Sequence, residues 1–277
     1  MPEALIPITA IVLSHNEAAN LPRCLAALRD CAEVIVVDDG SDDGSPEVAR
    51  KYGARVVEHP FTSFADQRNW ALASAGCVYP WTLHLDADEV MTPAALEEIR
   101  ERLSTLSETQ VGYLARKVML NERWLKYSAD YPVYVARLVH RSGPRFVMGG
   151  HGEVIDAPPD DAVFFDAPML HYAFSKGWPD WYRKHERYAA HEAKRLMNSI
   201  GQGTWQDLWS DDPVQRRRAL RALSYRVPAR PLLRFLYLFI WRRGFLDGPP
   251  GYRFARAMAR YERMIDVERK KLSCASS

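Results

Sequence analysis

The sequence predicts an α/β protein with a Rossmann-like, doubly wound and mostly parallel sheet, followed by a mixed sheet and a basic helical tail. Three observations carry this. Short apolar runs alternate with helical patterns over the first hundred residues, the connections between them are brief, and acidic residues gather where the runs end. A chain of 277 residues is long enough for one large domain plus an appendage.

Ile8–Leu13 (ITAIVL) is nearly continuous in apolar residues, as a strand buried on both faces must be. Asn20 then caps a helix with Pro22 in its first turn, and Leu21, Leu25 and Leu28 recur at helical spacing. Glu33–Val37 is the second strand, and Ser45–Tyr52 a short helix stopped by Gly53. Arg55–Val57, a helix over Ala65–Ala75, and the strand Trp81–Leu85 come next. Thr92 caps a helix that starts at Pro93 and runs to about Leu106. In sheets wound this way, ligands bind beyond the carboxyl ends of the strands.

After Gln110 the pattern changes. Gly112–Val118, Tyr134–His140 and Arg145–Val147 read as strands separated by aromatic and Arg-rich loops, and Trp178–Met197 as a helix. The expected division is a catalytic domain over 1–212, in halves 1–110 and 111–212, and a basic amphipathic tail over 213–277. The net charge of +2 conceals this split: from Pro213 onward sixteen Lys and Arg stand against four Asp and Glu, while the first 212 residues hold 21 basic and 31 acidic side chains. A tail of that sign faces an anionic partner or forms a solvated basic helix.

Cys24, Cys31, Cys77 and Cys274 lack metal-ligand spacing and read as reduced, semi-buried thiols of a cytoplasmic protein. The N-terminal residues show no signal-peptide pattern, and the apolar run Phe235–Trp241 is too short to cross a bilayer. No GxGxxG follows a strand and no GxxxxGKS/T occurs, which disfavours hydride transfer and P-loop chemistry.

Two acidic groups sit at strand ends. Asp38-Asp39-Gly40-Ser41-Asp42-Asp43-Gly44 follows the second strand, and alone it reads best as a polar turn. A calcium loop fails, because Arg50 stands where the bidentate Glu is needed. Asp86-Ala87-Asp88-Glu89 ends the fourth strand, where period-two alternation puts Asp86 and Asp88 on one side. Adjacent carboxylates repel unless protons or a cation compensate, and a hard divalent ion open to phosphate oxygens does so. Burial after WTLHL favours that metal reading over a solvated turn.

Together, LSHNEAANLPRCLAAL, VIVVDDGSDDGS, FADQRNWALASA and LHLDADE resemble the family 2 glycosyltransferases of GT-A fold, in order and in spacing. GYLARK, YPVYVARLVHR, GGHGEV and LHYAFSKG look like the branch of lipopolysaccharide-core β-glucosyltransferases and exopolysaccharide enzymes. The resemblance spans residues 6–200 and implies roles. Ser14, His15, Asn16 and Glu17 match the segment lining the nucleotide, His15 departing from the usual Tyr. Asp39 matches the residue that holds uracil, with Asp38 beside it. Gln67, Arg68 and Asn69 match the basic element near the diphosphate. Asp86 and Asp88 match the DxD motif, Asp88 on the metal and Asp86 toward the ribose.

The resemblance implies an inverting enzyme that moves a sugar, glucose or another hexose, from a UDP-sugar with Mg²⁺ or Mn²⁺ as cofactor. The cation acts as Lewis acid on the diphosphate, Arg68 adds fixed positive charge, and a base takes the acceptor proton. Glu153 in HGEV is the candidate base or an edge-strand carboxylate, and Asp130 is a second candidate. His151 and His171 bind the diphosphate, complete the metal shell or serve as structural hydrogen-bonders. Arg137, Arg141 and Arg145 contact phosphates or form surface pairs.

In the tail, Arg230–Arg243 combines apolar, aromatic and basic residues, which suits a helix lying in the interface of an anionic membrane; a core helix is the other reading. The implied partner is a lipid-linked glycan acceptor at the inner face of the bacterial cytoplasmic membrane. A non-catalytic nucleotide-sugar-binding module is the competing reading. A nucleic-acid binder is disfavoured by the acidic first part and the lack of any such motif.

Overall fold

The computed structural model describes residues 4–149, 152–199, 209–212, 215–216, 219 and 229–275. Two compact units emerge, Met1–Glu122 with Tyr131–Ser175, and Arg123–Asp130 with Lys176–Ser277. The sequence places the boundary at 212. In the fold it falls at 175, because the helix after it packs against the C-terminal helix.

The first unit runs β1 Ile6–Ser14, α1 Leu21–Ala26, β2 Cys31–Asp38, α2 Ser45–Lys51, β3 Arg55–Glu58, α3 Phe64–Ser74, β4 Trp81–Asp86, β5 Glu89–Met91 and α4 Pro93–Arg102. It continues with β6 Val111–Leu120, β7 Tyr134–His140, β8 Phe146–Gly149, β9 Gly152–Ile155 and β10 Ala162–His171. The main sheet has the order β3-β2-β1-β4-β7-β6-β10-β5, and β8 and β9 form a separate hairpin. Pairing is parallel from β3 to β4 and between β6 and β10. It is antiparallel at β4–β7, β6–β7 and β5–β10. This is the parallel sheet joined to a mixed half that the sequence predicts.

Alternation explains why β1 is apolar throughout. Ile6, Ile8, Ala10 and Val12 enter the larger core, while Ile11 and Leu13 enter a second core on the opposite face. In β2, Val36 goes to the first core and Ile35 and Val37 to the second. Ser63 and Thr92 cap α3 and α4, their hydroxyls accepting from Asp66 N at 3.1 Å and Ala95 N at 3.2 Å. Asn20 occupies the N-cap of α1 but its side chain makes no cap; its Nδ2 donates to Glu17 Oε2 at 2.6 Å. Cys24, Cys31 and Cys77 are free and buried, and burial pushes the Cys31 thiol up to about 12.

Three strands, β5, β9 and β10, escape the sequence reading. β4 ends at Asp86, residues 87–88 turn, and β5 begins at Glu89, so Asp86 and Asp88 do not alternate along one extended strand. β5 pairs with β10 in the register Met169↔Met91, Leu170↔Val90 and His171↔Glu89.

In the second unit, α5 Gly177–Ser199 packs Ala189 and Leu196 on Ile265 of α7, which spans Pro249–Ala275. Between them lies α6, Arg230–Leu236, extended by a π-helical turn over Tyr237–Trp241. No helix among the described residues is long and apolar enough to cross a membrane. Asp247 is buried and accepts from the backbone N–H groups of Lys126 at 3.1 Å, Tyr127 at 3.1 Å and Ser128 at 2.8 Å, which ties the segment 126–128 into this unit.

Packing dictates two effects on stability. Gly112 lies against β7 and β10, where an added Cβ would meet Leu138 Cβ at 2.7 Å and Phe165 Cε2 at 2.8 Å. Gly112→Ala will therefore lower stability in urea unfolding by about 1–3 kcal/mol. His185 stacks on Trp181 with ring centroids 3.5 Å apart, and burial pushes its imidazole down to about 4. Below its ordinary value of 6.5 the unfolded chain takes the proton first. The stability lent by the neutral ring is complete above that pH and shrinks by about 2–3 kcal/mol as pH falls toward 4. His185→Phe will flatten that part of the pH–stability curve.

Candidate active site

The carboxyl ends of β1, β2 and β4 lie side by side, with Ser14 opposite Asp38 and Leu13 opposite Asp86. The loops leaving β1 and β2 are stitched together. Asn16 N donates to Ser41 Oγ at 2.8 Å, Glu17 N to Ser45 Oγ at 2.8 Å and Ala18 N to Asp43 Oδ2 at 3.0 Å. Asp42 N donates back to Asn16 Oδ1 at 2.9 Å. Asn16 takes the left-handed backbone at φ 55°, a conformation Asn tolerates better than most residues.

Within this edge the acidic residues separate by role. Asp38 is buried and accepts from Ser41 N at 2.8 Å and Ser41 Oγ at 2.6 Å, so it braces the turn instead of offering a ligand contact. Asp39 is partly exposed; its Oδ1 accepts from Phe61 N at 2.8 Å, and Oδ2 lies 3.6 Å from His15 Nδ1. His15 Nδ1–H donates to the Asp39 carbonyl at 2.7 Å, which fixes an exposed ring beside that carboxylate. Ser14 is buried, and Glu17 is engaged by Asn20.

The α3 residues also bond inward. Gln67 Nε2 donates to His59 O at 3.1 Å. Asn69 Nδ2 donates to Phe146 O at 2.8 Å while its Oδ1 accepts from Phe146 N at 3.0 Å. Arg68 is 0% exposed and binds carboxylates: Nη2 donates to Asp86 Oδ1 at 2.6 Å and Nε to Glu153 Oε1 at 2.9 Å. A guanidinium enclosed in this way positions carboxylates, and its Nη1 makes no hydrogen bond among the described residues.

Arg137 on β7 completes the network. Its Nε and Nη2 each donate to Glu89 at 2.8 Å, a bidentate pair with a fully buried carboxylate. Its Nη1 reaches Glu153 Oε1 at 3.3 Å and its Nη2 Asp86 Oδ2 at 3.5 Å. Burial alone would lower the Arg137 pKa; Glu89, Asp86 and Glu153 outweigh it and hold the value above the ordinary one. Two guanidiniums thus serve three carboxylates. Both oxygens of Asp86 face arginines.

Asp88 faces β10. His171 Nε2 lies 3.4 Å from Asp88 Oδ2, and Tyr172 N donates to the Asp88 carbonyl at 2.8 Å. The β5–β10 register creates this proximity by placing His171 opposite Glu89. Among the described residues no three His, Cys, Asp or Glu side chains converge on one point. His151 lies outside the described residues. Asp130 belongs to the second unit, where it forms an ion pair with Arg242. Arg141 and Arg145 bind backbone carbonyls, Arg141 reaching Cys77 O at 2.7 Å and Arg145 reaching Arg141 O at 2.9 Å.

Glu89 and Arg137 are the residues whose part the sequence reading misses. One signal was present: Arg137 is the sole charge inside the apolar run of Tyr134–Val139, and a buried arginine requires a carboxylate.

A parallel half-sheet whose carboxyl edge carries Asp39 and Asp88, joined to a mixed half that delivers His171 and flanked by a hairpin that delivers Glu153, is the GT-A arrangement. The family model for glycosyl transferase family 2 matches residues 9–158, and the chain belongs to that family. A lipopolysaccharide core biosynthesis glycosyltransferase of Rhizobium meliloti, LpsC, is 32% identical over 120 residues, covering 42% of this chain and 44% of the relative. An uncharacterized glycosyltransferase of Rickettsia felis is 33% identical over 114 residues, covering 41% of this chain and 39% of its own. The match therefore spans less than half the length of either relative. Among solved structures, mannosyltransferase PcManGT of Pyrobaculum calidifontis, in complex with GDP-Man and Mn²⁺, aligns over 97% of this chain and 88% of its own, at 17% identity and a TM-score of 0.48.

The network makes a sharp prediction about stability. Arg137→Met leaves Glu89 buried without its partner and will cost about 3–5 kcal/mol in urea unfolding, whereas Arg137→Met with Glu89→Leu will recover most of that loss.

Proposed function

We propose that the protein is an inverting hexosyltransferase that carries a sugar, glucose in the first instance, from a UDP-sugar to a lipid-linked glycan in lipopolysaccharide or exopolysaccharide assembly. The observation that carries this reading is the pairing of Asp88 with His171 beside an immobilised Glu153. Asp88 Oδ2 and His171 Nε2, 3.4 Å apart, would hold the cation. Carboxylate and imidazole are donors that Mg²⁺ or Mn²⁺ accepts, and two protein ligands leave positions for diphosphate oxygens. When bound there, the cation supplies Lewis-acid stabilisation of the departing diphosphate.

The chain's own residues do the rest. Asp39 and His15 receive the base and ribose at the β1–β2 edge. Glu153 is the base: Arg68 and Arg137 both hold its Oε1, which leaves Oε2 to take the acceptor hydroxyl's proton. The acceptor oxygen then bonds to the anomeric carbon from the face opposite the departing diphosphate, which leaves with the bonding electrons, and α becomes β. Asp130, paired with Arg242, is a weaker candidate for this task.

Peripheral attachment to the inner face of an anionic membrane brings such an enzyme to a lipid-linked acceptor. Leu232, Leu233, Leu236, Ile240 and Trp241 of α6 and its π-turn are exposed, Trp241 to 81%, which supports that attachment.

The test is thermal shift and turnover with UDP- and GDP-sugars in the presence of Mn²⁺. UDP-glucose with Mn²⁺ will raise the melting temperature of the wild type, and Asp88→Asn will abolish that rise together with transfer. Glu153→Gln will retain donor binding but lose about 10²–10⁴ in kcat. An Asp88→Asn variant with intact metal response and turnover refutes the proposal.

A further inference from the structure

Three of the four arginines expected to hold α6 to a membrane, Arg230, Arg234 and Arg242, are already occupied, and Arg243 is exposed. Arg230 Nη2 lies 2.5 Å from Glu262 Oε2, Arg234 Nε lies 4.0 Å from Glu262 Oε1, and Arg242 pairs with Asp130. Their charge is therefore largely spent inside the second unit. A different set is available. On α7, Arg253, Arg256, Arg260 and Arg263 are all exposed and succeed one another at spacings of three, four and three, which aligns them on a single helical face. Among the described residues none of the four has an acidic partner within ion-pair distance, and Arg260 is steadied by stacking 4.0 Å over the Tyr182 ring.

Three of these arginines, Arg256, Arg260 and Arg263, form one wall of a groove of about 540 Å³. Pro231, Leu232 and Phe235 of α6 form the other. One wall is cationic and hydrogen-bond donating, the opposite wall is apolar, and the apolar wall continues into the exposed Leu236, Ile240 and Trp241. A ligand that satisfies both walls bears a phosphate next to a hydrocarbon chain. A free phosphate would leave the apolar wall wet, and a neutral lipid would leave three cations unanswered.

We propose that this groove is a headgroup site for an anionic phospholipid of the bilayer, with the α7 arginines on the phosphate and the α6 side chains in the acyl region. The proposal rests on the peripheral attachment put forward above and names which residues make it selective for anionic lipid.

The experiment is co-sedimentation of the full chain with vesicles of phosphatidylcholine alone, or with about one-third phosphatidylglycerol, at low and high salt. The wild type will bind the phosphatidylglycerol vesicles and release at high salt. Arg256→Gln/Arg263→Gln will lower the partition coefficient on those vesicles about 30-fold, since each cation near an anionic surface contributes roughly a five-fold factor. Arg253→Gln/Lys270→Gln removes equal charge outside the groove and will cost much less. Melting curves and Mn²⁺-dependent donor hydrolysis will match the wild type in both variants, which shows that each is folded. Equal losses in the two variants, or no loss in either, overturn the groove while leaving peripheral attachment intact. Failure of the wild type to bind phosphatidylglycerol vesicles overturns both.

Discussion

The bidentate pair between Arg137 and Glu89 is the contact on which the site depends. Glu89 starts the short strand β5, directly after the turn that bears Asp88, and Arg137 lies on β7 in the antiparallel half. Neither charge could remain in the interior alone. Because each neutralises the other, the turn carrying Asp88 is pinned to the mixed half of the sheet. The same guanidinium reaches Glu153 and Asp86, and Arg68 reaches those two from α3. Asp86 and Glu153 are therefore each held from two elements, and neither can shift without stranding a buried cation. This is how preorganisation is obtained in a region where loops alone would be soft.

The neighbouring histidine answers to the same field. His84 on β4 is buried, and desolvation together with the positive charges of Arg68 and Arg137 keeps its pKa well below the ordinary value. Thr82 Oγ1 gives its proton to Val139 O at 2.9 Å, so the 3.1 Å contact with His84 Nε2 requires that nitrogen to be the donor. A neutral ring with a defined tautomer thus fills the space beneath two arginines without adding a third cation.

The parallel half was legible in the sequence because burial on both faces writes a nearly unbroken apolar run, as in β1, and because Thr92 and Pro93 mark a helix start. The mixed half was less so. β5 is only three residues long, and β10 contains Asp166 and Pro168, which break both alternation and composition. The site divides along the same line. Asp39 and Asp88 follow strand ends, where the family resemblance assigns them roles, whereas the bond from Arg68 to Glu153 joins residues 85 apart and that from Arg137 to Glu89 residues 48 apart. No local pattern encodes such partners. Asp38, Gln67 and Asn69 carry motif residues and also bond nearby protein groups, contacts that only three-dimensional hydrogen bonding makes visible.

Asn69 has a consequence of its own. Its amide group matches the donor–acceptor spacing of a peptide and saturates both main-chain groups of Phe146, the first residue of the small β8–β9 hairpin. Hairpins standing outside a larger sheet present open main-chain groups on which strands of other molecules can nucleate. Here one helical side chain imitates a neighbouring strand and stops, anchoring the first residue of the hairpin that carries Glu153 to α3.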